Sequence, residues 1–162
     1  MTEETQPPRE AAGPLHDFLA GIGRDSRGRM VEDVLAFSNP QLEGIHNFIQ
    51  WLFPLRTRSA AQPDAPTLSE EEIGAIRADP RAQATLERAA ERMLRFYRET
   101  DGWLTWQNHN HLRISRIIHS LRLLVDERAA RAFHSVIEAR LKAEGSPVNP
   151  RSQQIWSDAL RG

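Results

Sequence analysis

Apolar residues recur at helical spacing along most of the chain, and polar residues between them supply start and stop signals. Met30, Val31, Val34 and Leu35 share one face of a predicted helix over 29–37. Leu86, Ala90, Met93, Leu94 and Tyr97 share another, opened by Asp79-Pro80 and closed by Asp101-Gly102. Ile114, Ile117, Ile118, Leu121, Leu124 and Val125 stripe the next helix, which starts near Asn108 or Asn110. Asp126 caps a helix whose Ala129, Phe133, Val136, Ile137 and Leu141 face inward, and Gly145 ends it. Asn149-Pro150 opens a last short helix with Ile155, Trp156 and Leu160. Ser69 and Glu72 fit a capping box, with Leu68 and Ile73 as a hydrophobic staple. No stretch alternates with the period of a strand. The pattern predicts an all-α chain, a compact irregular (orthogonal) helical bundle of about six or seven helices. A mobile tail is expected over 1–14, and one domain over 15–162, its first helix spanning Leu15 to Ile22.

The block from Glu43 to Pro54 is both more aromatic and more polar than a surface helix needs to be. Read as one helix over 41–53, it places Leu42, Ile45, Ile49 and Leu52 on an apolar arc. Glu43, His46 and Gln50 form a polar stripe on one flank, and Phe48 and Trp51 widen the other side. A polar stripe pressed against packed neighbours must find hydrogen-bond partners or lose several kcal/mol, which makes it either a structural polar network or a ligand site. A second stripe follows on the later isoleucine-rich helix, where His109, Arg113, Arg116 and Ser120 flank the core face. The two stripes carry complementary chemistry, so they are expected to meet, with Glu43 pairing Arg113 or Arg116. Trp103 and Trp106 lie in the connection after Gly102 and are the aromatic residues expected to be partly exposed.

Composition narrows the chemistry. The 162 residues carry a net charge of −1, which gives no global field toward nucleic acid or an acidic membrane. There is no cysteine, which excludes disulfides, thiolate metal sites and cysteine nucleophiles. No apolar run reaches the roughly 20 residues of a spanning helix, and the acidic start lacks a signal-peptide core. The cytoplasm is the default compartment. Glu43-x-x-His46 occurs once, whereas a di-iron bundle needs two such pairs and further carboxylates. No metal, cofactor, glycine-rich phosphate loop or serine elbow is expected.

Two segments resemble a known family. Leu42-Glu43 with His46-Asn-Phe-Ile-Gln-Trp-Leu-Phe-Pro54, and His109-Asn110 with Leu112-Arg-Ile-Ser-Arg-Ile117, are similar to the signatures of the opioid growth factor receptor conserved-domain family. The loop Pro63-Asp-Ala-Pro66 and the cap at Ser69 resemble its bacterial-type members. The resemblance runs from about Phe18 to Leu160. It departs from the animal form at Phe48, where a tyrosine is usual, and at His111, which replaces an aromatic residue. The family is named for a receptor of an opioid peptide. The resemblance therefore implies a domain that binds a peptide or small ligand in a polar-aromatic cleft, and it carries over no catalytic residues. Glu43, His46, Gln50, Trp51, Trp106, His109, Arg113 and Arg116 are the ligand-binding candidates. Two other classes compete. An enzyme with His46 and Glu43 as an acid-base pair would need an open cavity beside them. An interaction module would show an exposed apolar patch.

Overall fold

The computed structural model describes residues 12–162. The expected tail therefore falls mostly outside the described residues. Those residues form nine helices and no strand: α1 (Pro14–Leu19), α2 (Val31–Leu35), α3 (Asn39–Gly44), α4 (Ile49–Leu52), α5 (Glu70–Ala78), α6 (Pro80–Glu99), α7 (Asn110–Leu124), α8 (Glu127–Ala143) and α9 (Pro150–Ala159). The all-α bundle matches the sequence pattern. The higher helix number arises in part because the expected helix over 41–53 is two short ones.

Helix α7 is the hub. It packs on α5, α6, α8 and α9, and its Ile114, Ile117, Ile118, Leu121 and Leu124 are buried with Leu86, Met93, Tyr97, Phe133, Ile137 and Trp156 in one core. Helix ends use the predicted caps. Asp79, Asp126 and Asn149 accept from the backbone N–H of Arg81, Ala129 and Ser152, satisfying donors that a helix start leaves free.

Ser69 also caps, accepting from Glu72 N, but the expected reciprocal bond of a capping box is absent. The Glu72 carboxylate turns instead to α1, where it accepts from Leu15 N at 2.9 Å and His16 N at 3.0 Å. One buried acid thus caps a helix 57 positions earlier. Gly13 makes that approach possible: it holds φ +153°, and a Cβ there would overlap the Glu72 carboxylate. No described helix is long and apolar enough to cross a membrane.

Candidate functional site

The chain breaks between α3 and α4. Gly44 ends α3, Ile45 is extended, and residues 45–48 cross to α4. A helix end leaves its last carbonyls without intrahelical donors, and two short helices in succession expose several at once. The polar flank of α7 supplies the donors in sequence. Arg113 donates to Leu42 O at 2.6 Å and to Ile45 O at 2.8 Å. Arg116 Nε donates to Phe53 O at 2.8 Å, and Ser120 Oγ to Pro54 O at 2.9 Å. The spacing 113, 116, 120 lines one side of a helix, so a single stripe fastens the whole broken segment. Arg29 holds the break from the other side, donating to the backbone and side-chain oxygens of Asn47. Asp25 orients Arg29 through its Nε at 2.7 Å.

The two stripes therefore meet, but not in the expected pairing. Glu43 faces His109 Nε2 at 3.0 Å and accepts from Asn110 Nδ2 at 3.1 Å. Neither arginine is its partner, because both guanidinium groups are committed to carbonyls. His46 stacks edge-on against His109 with ring centroids 5.0 Å apart, and its Nδ1 lies 3.4 Å from Arg113 Nη2. Arg113 can only donate, so His46 Nδ1 is the acceptor. Arg113 also lies 5.2 Å from the Phe48 ring centroid, in cation–π geometry. Beneath these groups, Tyr97 OH donates to Asn110 Oδ1 at 3.2 Å.

Burial governs the electrostatics. It raises the Tyr97 hydroxyl well above its ordinary value. It lowers Arg113 and brings Arg116 down to about 10, which leaves both cationic at neutral pH. Burial also lowers His109, against the opposing pull of Glu43, and His111, against its hydrogen bond to the Trp103 carbonyl. His119 and His134 move the same way for the same reason. The folded protein thus holds fewer protons on these four rings than the unfolded chain once pH falls below their ordinary 6.5. Stability from this source is full above that pH and is lost as acid is added. Urea denaturation should give a lower unfolding free energy at about pH 5.5 than at about pH 7.5, and a flat profile would refute the assignment.

The remaining candidates separate. Gln50 and Trp51 are buried. Gln50 Nε2 donates to His46 O, its Oε1 has no partner, and Trp51 packs edge-on against Phe18. Trp103 is buried rather than exposed, because its indole N–H reaches the carbonyls of Tyr97 and Thr100. Trp106, by contrast, is 63% exposed. Its carbonyl accepts from the backbone and side-chain nitrogens of Asn149, which fixes this connection against the start of α9. Between them lies an open cleft of about 550 Å³, with His109, His111, Leu112, Arg151, Ser152 and Ile155 on its walls. Leu112 is 70% exposed. His111 Nε2 is anchored on Trp103 O at 2.8 Å, and its Nδ1 lies 3.4 Å from Ser152 Oγ. Arg151 has no ion-pair partner among the described residues. His109 stands on the ridge, touching Glu43 on one side and the cleft on the other.

Sequence reasoning gives no site role to Asn110, Arg29 or Arg151, and it reads Tyr97 as an apolar-face residue. Asn110 is legible as a helix start and as part of the His109-Asn110 signature, but not as the partner of Glu43 and Tyr97. No group of three or more His, Asp or Glu among the described residues is placed to hold a metal.

Comparison with known proteins bears on this geometry. Residues 25–102 match the family model described as the opioid growth factor receptor conserved region. That span includes the broken segment and ends before α7. The opioid growth factor receptors of Homo sapiens, Rattus norvegicus and Mus musculus are each 35% identical to this chain over 115 residues, a match covering 58% of the chain. The match covers 17%, 20% and 18% of those proteins respectively, so this chain spans a fifth of their length or less. These relatives are mammalian and give no support to a bacterial origin. No solved structure matches the chain.

Proposed function

We propose that this opioid growth factor receptor-like domain binds a peptide or small ligand in the cleft between the Trp106–Leu112 connection and the first turn of α9. The observation that carries this reading is the exposed Leu112, set on the wall of a polar cleft with His109, His111 and Arg151. Isolated exposed apolar residues need no explanation, but a leucine and an isoleucine among convergent polar groups fit a recognition site. Arg151 takes an anionic group of the ligand through charge-assisted hydrogen bonds. His109 and His111 offer polar contacts that change with protonation, and Leu112 and Ile155 receive an apolar side chain. Glu43, His46, Arg113 and Arg116 support the cleft from behind by fixing His109 and α7, and Gln50 and Trp51 take no direct part. The resemblance to proteins named as receptors supports binding over catalysis.

The test is a thermal-shift screen with short peptides that end in a free carboxylate, followed by backbone-amide NMR. Binding to the native state alone raises its stability. Hits should perturb residues 106–112 and 149–155, and Arg151→Ala should weaken them by about tenfold, the loss of one charged contact. Hits that perturb other surfaces, or affinities indifferent to both Arg151→Ala and Leu112→Ala, would overturn the reading.

A further inference from the structure

A wider and more apolar depression than the cleft lies between α6 and α8. It has a volume of about 1000 Å³. Small residues open it: Ala84, Ala90, Ala129 and Ala132 stand where longer side chains would fill the space, with Phe133 and Val136 on its floor.

The two helices run in the same direction. Gln83 Nε2, near the start of α6, donates to Leu124 O, just before α8. At the other end, Arg140 of α8 donates to the carbonyls of Tyr97 and Arg98. The groove is therefore polar in two senses. Its starting half carries the positive helix ends together with the carboxylates of Glu87 and Asp126. Its finishing half carries the negative helix ends together with the Arg98 guanidinium. Among the described residues, neither Glu87 nor Arg128 has an ion-pair partner, and Arg98 makes only an exposed contact to Glu91 at 3.4 Å.

We propose that a second copy of this chain occupies the groove through a two-fold axis crossing it near Ala90 and Ala132. That axis sets each starting half over the partner's finishing half. Glu87 and Asp126 then meet the partner's Arg98, Arg128 meets the partner's Glu91, and the helix dipoles run antiparallel. A two-fold interface uses one patch on both copies, and this patch is self-complementary only in that orientation. Alanines at the crossing let the helices approach closely.

Sedimentation velocity over a concentration series tests the proposal. The expected result is a reversible monomer–dimer equilibrium. Ala132→Glu sits on the exposed side of α8, so the monomer keeps its fold while association weakens by roughly a hundredfold, as expected for a carboxylate buried without a partner. A charge exchange guards against simple misfolding. Glu87→Arg and Arg98→Glu should each weaken the dimer, and the double variant should regain most of the lost affinity. A monomer at every concentration, or a dimer indifferent to Ala132→Glu, would overturn the proposal. So would a groove that shifts only when a foreign amphipathic helix is added. None of these outcomes depends on ligand binding in the α9 cleft.

Discussion

Arg113→Met is expected to lower the unfolding free energy by about 3 kcal/mol, since two hydrogen bonds from a charged donor are lost and two acceptors are stranded. Methionine keeps much of the aliphatic bulk and removes the guanidinium. The carbonyls of Leu42 and Ile45 then lie in a buried setting with no donor, and the Phe48 ring loses its cation. A domain this size has only about 5–15 kcal/mol in hand, so the loss is a large share. Arg113→Lys keeps the charge but offers one compact ammonium in place of a fork, and should recover about half. The effect should be local in hydrogen exchange, with protection falling first over 42–53. Urea denaturation decides between two roles. A residue held in reserve for a ligand could be replaced by methionine at little cost in the free protein, because a buried charge is expensive to keep. A change under about 1 kcal/mol would show Arg113 to be such a reserve and remove it from the architecture.

Trp156→Ala should cost about 4 kcal/mol, in the range for truncating a fully buried aromatic residue. The indole lies at 1% exposure, packs against Trp103 and His111, and donates from Nε1 to His111 O at 2.8 Å. It is the main anchor of α9, and α9 forms one wall of the cleft. Protection should therefore fall together in 107–112 and 150–159, and ligands that raise the melting temperature of the wild type should no longer do so. Trp156→Phe keeps an aromatic ring but loses the N–H bond and part of the indole volume, so it should cost about 2 kcal/mol and retain the cleft. If the alanine variant stays within about 1 kcal/mol of wild type, α9 is held by something other than this side chain.

What the sequence makes legible is what is local. Asp79, Asp126 and Asn149 cap their helices as read because a cap and its N–H lie two or three residues apart. The α7 flank of Arg113, Arg116 and Ser120 was visible as a stripe for the same reason. The identity of its partners was not. Leu42, Ile45, Ile49 and Leu52 keep helical spacing straight across Gly44, so the apolar pattern is blind to the break. What stabilises the break lies about 70 positions away: donors on another helix that satisfy freed carbonyls. A glycine inside a predicted helix was the one local hint. Trp103 was misread because a connection is normally wet, yet here two backbone carbonyls accept its N–H. The candidate residues Glu43, His46 and His109 do converge, but the cleft beside them depends on Arg151 and Ile155, which no periodicity joins to that cluster.

The bond between Glu72 and the start of α1 also sets an order of events during synthesis. Six residues of helix cannot persist alone in water, since the nucleus costs more than so few turns return. Their completing acceptor is translated 57 codons later. Until residue 72 has left the ribosome, the leading segment must stay open to chaperones and proteases, and nascent chains stalled before that point should lack their first helix altogether.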